Sequence, residues 1–86
     1  MPETVIVTIY FTDSHGKVCY SDFELPLAAT FSSYQESLEN ALKNAFPSMI
    51  FNGRHIMLFG DDALEPDDSL LDMGIFDGAI LNVILL

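Results

Sequence analysis

Residues 53–86, GRHIMLFGDDALEPDDSLLDMGIFDGAILNVILL, decide the fold of this chain. Short apolar runs alternate there with Gly, Asp and Pro, which predicts strands joined by turns. In chain order the predicted elements are a strand (55–59), a tight turn (60–63), a short returning strand at Leu64, a loop (65–69), a turn or short helix (70–76) and a last strand (79–86). The stretch predicts both a fold and an interaction surface.

The strands of this stretch each divide into two faces, because successive side chains point to opposite sides of a sheet. One set is expected to build the core: Met57, Leu64, Leu70, Ile75, Leu81 and Val83. The other set is expected to face outward: Ile56, Leu58, Ile80, Asn82, Ile84 and Leu86. Most of the outward set is aliphatic, whereas a sheet face that meets only water is mostly polar. The pattern favours a contact surface; scattered surface apolar residues, or a further segment that covers them, are the alternatives.

The beginning of the chain predicts an antiparallel hairpin. The segments TVIVTIYF (4–11) and KVCYSDFEL (17–25) are rich in β-branched and aromatic residues, and DSHGK (13–17) has turn chemistry. Pro26 lacks an N–H and ends the second strand. The core face is expected to carry Val5, Val7, Ile9, Phe11, Phe23 and Leu25, with Asp22 and Glu24 facing water.

Residues 31–46, FSSYQESLENALKNAF, change to a helical period, with apolar residues three and four apart. Thr30 is the expected N-cap, with Ser32 as a rival because Ser32 and Gln35 have capping-box spacing. Pro47 ends the helix. The following connection is unexpectedly apolar at Met49, Ile50 and Phe51, which either fold under the helix end or belong to an interface.

The composition of the chain limits which classes of partner it can bind. Its 86 residues predict one domain, 1–86, with a formal net charge of −10 from 13 acidic and 3 basic residues. Nucleic acid and anionic membrane surfaces are disfavoured, because both bind proteins through Lys and Arg. The lone Cys19 fits a reducing compartment, and no leader or long apolar run is visible. We therefore expect a cytoplasmic protein, with the nucleus as the alternative.

The order of hairpin, helix, strand, short strand and strand resembles ubiquitin and the ubiquitin-like domains of the β-grasp family. The matching pattern is joint spacing over residues 57–64, 69–70, 72, 75 and 81–84, together with LPLAATFSSYQESL (25–38). The resemblance implies an α+β fold: a β-grasp (ubiquitin-like) roll, with a mixed four- to five-stranded sheet and one main α-helix packed across it.

Three departures from the family shape the functional expectation. The printed chain ends at Ile84-Leu85-Leu86 without the Gly-Gly tail of conjugated members, so we expect a non-conjugated domain, with a modifier whose tail is missing as an alternative. Residues 38–57 are several residues longer than in ubiquitin. Asp62 and Leu86 stand where ubiquitin has basic residues.

The resemblance places the binding site on the outer sheet face, at Leu58, Asn82 and Ile84, with Phe11 or a neighbour in the hairpin as a further member. With strand parity, the expected partner-binding residues are Ile56, Leu58, Asn82, Ile84 and Leu86. The segment DDALEPDD (61–68) is expected to form an acidic flank of Asp61, Asp62, Asp67 and Asp68 that meets a basic rim of a partner, with a solvated loop surface as the alternative. Calcium is disfavoured, since the alternating ligands of an EF-hand loop are missing.

The residues do not predict catalysis, a metal site or a cofactor. Cys19, His15 and His55 are the nominal nucleophile and bases. Cys19 lies in mid-strand with only Lys17 as a cationic neighbour, His15 lies in a turn, and His55 has the inward parity of Met57. One Cys and two separated His residues do not make a structural zinc site.

The sequence therefore predicts a non-catalytic ubiquitin-like domain that binds a protein partner through its outer sheet face, without nucleic acid or membrane. A structural subunit that self-associates as a homodimer, or is buried in a larger complex, is the alternative.

Overall fold

The computed structural model of the protein describes residues 4–13, 15–47 and 55–85. Its elements are β1 (Thr4–Thr12), β2 (Val18–Pro26), α1 (Phe31–Ala45), β3 (His55–Phe59), β4 (Asp62–Ala63) and β5 (Ile80–Leu85). The apolar connection of Met49, Ile50 and Phe51, and Leu86 of the predicted binding set, lie outside the described residues.

The described strands form a sheet in the order β2-β1-β5-β3-β4. The central pair, β1 and β5, runs parallel, and the other neighbours run antiparallel. In this order β1 and β2 form a hairpin, α1 connects β2 to β3, and the chain returns so that β5 lies between β1 and β3. The predicted α+β roll with a mixed sheet is confirmed.

The core lies between the inner sheet face and α1. In β1 the alternation is complete, because Val5, Val7, Ile9 and Phe11 are all buried. The predicted core residues of the second half are also all buried: Met57, Leu64, Leu70, Ile75, Leu81 and Val83. From the helix, the core receives Phe31, Leu38, Leu42 and Phe46. Strand parity therefore assigned the inner face correctly.

The start of α1 differs from the sequence expectation in how it is capped. Thr30 is the N-cap residue, as predicted, but its side chain makes no cap hydrogen bond within the described residues. Instead, the N–H groups of Phe31 and Ser32 donate to the carbonyl oxygens of Asp68 and Pro66, at 2.8 and 3.0 Å. A distant loop therefore satisfies two of the helix N–H groups that have no partner within the helix.

Two element boundaries also differ from the expectation. The helix ends at Ala45, and Phe46 becomes its C-cap, donating its N–H to the Leu42 carbonyl at 2.8 Å. The short returning strand is Asp62–Ala63 rather than Leu64. Leu64 still follows β3 closely, because its N–H donates to the Met57 carbonyl at 2.9 Å.

Candidate interaction surface

The outer face of the sheet carries four predicted binding residues on two adjacent strands. Ile56 lies opposite Ile84, and Leu58 lies opposite Asn82, in the antiparallel register of β3 and β5. Side chains directly opposite each other on one face are neighbours, with Cβ atoms about 5 Å apart. Ile84 is 44% exposed and Asn82 is exposed, while Ile56 and Leu58 are half-buried. The structure thus brings these four side chains together.

Two tyrosines extend this surface across the sheet. Tyr10 of β1 pairs with Asn82 of β5, and Tyr20 of β2 lies opposite Tyr10. The two rings stack with their centroids 5.3 Å apart, and Tyr20 is 67% exposed. Tyr10 alternates with the predicted core residues Ile9 and Phe11 and therefore lies on the opposite face, but the expected binding set included neither tyrosine. The hairpin register would have placed Tyr20 beside Tyr10.

Phe11, the family-based candidate from the hairpin, is not part of this surface. It is 4% exposed, and its ring packs against Phe46 of the helix end at a centroid distance of 5.9 Å. Its odd-numbered position in β1 points it to the core together with Ile9. Tyr10 holds the outward position instead. We call the resulting outer-face set the outer patch: Tyr10, Tyr20, Ile56, Leu58, Asn82 and Ile84.

The structure divides the predicted acidic flank into two groups. Asp61 lies in the turn between β3 and β4, and Asp62 pairs with Phe59 at the sheet edge. Asp67 and Asp68 belong to the loop that caps the helix, where the Asp68 carboxylate accepts the N–H of Glu65 at 3.1 Å. The four carboxylates therefore do not form one continuous rim along the outer patch.

A different pair of carboxylates lies on the outer face itself. Asp22 pairs with Thr8 and accepts its hydroxyl at 2.7 Å, and Glu24 accepts the Thr4 hydroxyl at 2.9 Å. These hydrogen bonds hold both carboxylates on the outer face of β2. Sequence parity had Asp22 and Glu24 facing water, without assigning them a role in the site.

The three nominal catalytic side chains are dispersed. Cys19 is on β2 and His55 is on β3, three strands apart in the sheet order, or roughly 14 Å at the usual strand spacing. His15 is exposed in the hairpin turn. The His55 side chain is nearly buried, and its Nε2 lies 3.5 Å from Oε1 of Glu39, which joins β3 to the helix. This arrangement gives His55 a structural contact.

Metal ligands do not cluster in the described part of the chain. Within residues 4–13, 15–47 and 55–85, no group of three or more His, Cys, Asp or Glu side chains is placed to hold a metal ion. The same residues contain no helix that is long and apolar enough to cross a membrane.

Comparison with known proteins finds similarity in structure only. No protein-family model and no curated protein matches the sequence. The ubiquitin-like domain of the Mycobacterium tuberculosis type VII secretion system protein EccD1 has a TM-score of 0.72 at 24% identity, covering 98% of this chain and 99% of that one. The EccD5 ubiquitin-like domain of Mycobacterium xenopi has a TM-score of 0.79 at 20% identity, covering 99% and 97%.

A third similar chain is part of a larger assembly, the MycP5-free ESX-5 inner membrane complex. Its TM-score is 0.74 at 18% identity, and the match covers 99% of this chain but 21% of that one. The expectation that no membrane is involved gains no support from this comparison. At these identities the likeness establishes the fold alone, and the protein has the ubiquitin-like β-grasp fold.

Proposed function

We propose that the protein is a non-catalytic ubiquitin-like interaction domain that binds a protein partner through the outer patch. The observation that carries the proposal is the contiguity of the outer patch from Tyr20 to Leu58 across four neighbouring strands, in which Asn82 is the one polar member. An exposed apolar area of this kind on a small domain is typical of a contact site. Tyrosine is enriched in such contacts because its ring is large, rigid and amphipathic.

The negative charge of the chain indicates that the binding surface of the partner has basic residues around its apolar part. The formal charge is −10, and Asp22 and Glu24 lie on the outer face beside the patch. Lysines or arginines at the rim of the partner would therefore accelerate association and select against acidic proteins. The same charge disfavours nucleic acid as the ligand.

We propose a cytoplasmic location, in which any membrane is met through a protein partner rather than through lipid. Support comes from the acidic charge, which disfavours anionic lipid surfaces. The similar chain in an inner membrane complex supports a protein assembly as the setting.

The test is affinity capture with Ile84→Asp and a matched control, Ile6→Asp. Both isoleucines are on the outer face, at 44% and 51% exposure, but Ile6 lies outside the outer patch. We expect Ile84→Asp to lose bound proteins that the wild type and Ile6→Asp retain. Circular dichroism and thermal melting should remain close to wild type for both variants. If both variants retain the same proteins, or if Ile84→Asp unfolds, the outer patch is not the docking site.

A structural subunit is the second candidate, and the similar chain in the ESX-5 inner membrane complex favours it. In that case the outer patch is buried permanently, either in a homodimer or against another subunit. Sedimentation velocity over a wide concentration range distinguishes a homodimer from a monomer. A dimer that Ile84→Asp dissociates would support self-association, and a strict monomer would exclude it.

A further inference from the structure

The hairpin leaves one long edge of the sheet without a neighbour in the described structure. In the order β2-β1-β5-β3-β4, strand β2 is terminal, and it is nine residues long. A terminal strand presents unpaired N–H and C=O groups along its outer side.

The hydrogen bonds of β1 show which of its residues direct their backbone groups toward β5 and which toward β2. The N–H of Thr8 donates to the Ala79 carbonyl at 2.9 Å, and the Ile6 carbonyl accepts the N–H of Gly78 at 2.8 Å. Even-numbered residues of β1 therefore direct their backbone groups toward β5. Since directions alternate along a strand, the odd-numbered residues direct theirs toward β2.

The pairing of β1 with β2 then fixes the free groups of β2. Ser21 and Phe23 lie opposite Ile9 and Val7, so they share backbone hydrogen bonds with β1. The residues between and beside them direct their N–H and C=O groups to the open edge: Tyr20, Asp22 and Glu24. The free edge therefore offers three consecutive sites for a ladder with an added strand.

An apolar groove runs beside this edge, between β2 and α1. Its volume is about 270 Å³, and its walls are mainly Phe23, Leu25, Tyr34, Leu38 and Ala41. The Tyr34 hydroxyl oxygen is buried without a hydrogen-bond partner among the described residues. The groove therefore has mainly apolar walls, and it lies on the inner side of the sheet, on the face opposite the outer patch.

The edge strand carries two carboxylates, and they determine which kind of added strand is favoured. Asp22 and Glu24 each accept one Thr hydroxyl and can accept further hydrogen bonds. A second copy of β2 would bring its own Asp22 and Glu24 against this acidic edge, and like charges across a strand pair are destabilising. A strand that carries lysines or arginines would meet the same carboxylates favourably.

We propose that β2 and the adjoining groove accept an extended segment of a partner protein in which apolar residues alternate with lysines or arginines. Its backbone pairs with Tyr20, Asp22 and Glu24, as in other cases of strand addition. Alternate side chains of a strand point to opposite faces. The apolar side chains therefore enter the groove over Phe23 and Leu25, and the basic ones lie beside Asp22 and Glu24. This site shares only Tyr20 with the outer patch, through its backbone, and the groove that takes the apolar side chains lies on the opposite face of the sheet.

The probe is a short synthetic peptide of alternating valine and lysine. In nuclear magnetic resonance titrations we expect saturable shifts of the Tyr20, Asp22 and Glu24 amides, with slower hydrogen exchange at those amides. A peptide in which glutamate replaces lysine, and one N-methylated at the backbone positions that face β2, should each bind at least about tenfold more weakly. Equal binding of either control peptide, shifts confined to Ile56, Leu58, Asn82 and Ile84, or no saturable binding would each overturn the proposal.

A pair of helix variants tests the groove. Ala41 lines it, whereas Ala45 is exposed on the same helix and does not. Ala41→Leu should fill the groove and weaken the valine–lysine peptide about tenfold, while Ala45→Leu should bind it as wild type does. Equal binding by the two variants would contradict occupation of the groove. Ile84→Asp should leave peptide binding unchanged, so that failure here is distinguishable from failure of the outer patch.

Discussion

Tyr10 and Tyr20 stack on the outer face of the sheet, with ring centroids 5.3 Å apart and ring planes inclined by 22°. They lie directly opposite each other in the β1–β2 hairpin. The stacked pair gives the outer patch a rigid aromatic end beside Asn82, while Ile56, Leu58 and Ile84 form its aliphatic end. A partner would therefore meet a surface that is largely formed before binding.

The stacked pair should be energetically coupled. We expect a double-mutant cycle of Tyr10→Ala and Tyr20→Ala to give a coupling of about 0.5–1.5 kcal/mol in the free energy of unfolding. The value should fall near the lower end, because Tyr20 is 67% exposed. Urea denaturation of the wild type, both single variants and the double variant measures it. Additive single effects, within about 0.3 kcal/mol, would show that the rings do not stabilise the hairpin together.

Adjacent positions in β5 should respond very differently to truncation. Leu81 is fully buried and Ile80 is 51% exposed, since they point to opposite faces of the sheet. We expect Leu81→Ala to lower the free energy of unfolding by about 2–5 kcal/mol. Ile80→Ala should lower it by less than about 1 kcal/mol. Chemical denaturation checks both values, and similar losses at the two positions would contradict the assigned register of β5.

Much of this fold could be predicted from sequence because strand parity and helical period act locally. Each buried position of β1 follows from the alternation of apolar residues alone. In β5 both faces are largely apolar, so alternation divides the residues into two sets and the family resemblance indicates which set faces outward. The same alternation distinguishes Ile84 from Val83, so the aliphatic end of the outer patch also follows from the order of the residues. The tyrosines were missed since they depend on pairing between strands, which fixes where Tyr20 lies relative to Tyr10.

Features that depend on contacts between distant segments could not be predicted in this way. Local sequence identified Thr30 as the N-cap, but the hydrogen bonds at the helix start come from the loop around Asp68. The acidic segment 61–68 was treated as one surface because its charges are close in sequence. The structure separates it, since β4 returns along β3 while the following loop crosses to the helix.

Thr30 and Ser69 should differ in how much the free energy of unfolding depends on their hydroxyl groups. Thr30→Ala should cost less than about 0.5 kcal/mol, below the usual cost of removing an N-cap, because the Thr30 side chain makes no cap hydrogen bond in the described structure. Ser69 is 6% exposed, and its Oγ accepts the Asp72 N–H at 3.1 Å. Ser69→Ala should therefore cost more, about 1–2 kcal/mol.

Thermal and urea denaturation of the two variants, measured side by side, test this ranking. A loss above about 0.5 kcal/mol for Thr30→Ala would show that the Thr30 side chain, and not the loop carbonyls alone, stabilises the helix start. The Ser69 effect reports on the turn at residues 69–75, because the substitution removes the hydroxyl that accepts the Asp72 N–H.

Tyr34 should respond unusually to loss of its hydroxyl group. The oxygen is buried and has no hydrogen-bond partner among the described residues, while the ring packs edge-on against Phe31 at a centroid distance of 5.7 Å. Removing an unsatisfied buried polar atom relieves its desolvation and keeps the apolar packing. We therefore expect Tyr34→Phe to be neutral or stabilising at neutral pH, in contrast to Tyr34→Ala, which removes the ring.

Alkaline pH should separate Tyr34→Phe from the wild type further. Burial raises the pKa of the Tyr34 phenol in the folded protein above its ordinary value of 10.0. Above that pH the unfolded chain releases this proton while the folded protein retains it, so the free energy of unfolding falls as pH rises. Below it both states are protonated, and stability does not depend on this group. Tyr34→Phe should therefore lose less stability than wild type between about pH 9 and pH 11. Urea denaturation across that range measures the difference, and parallel losses in the two proteins would show that the Tyr34 hydroxyl is as well solvated in the folded state as in the unfolded chain.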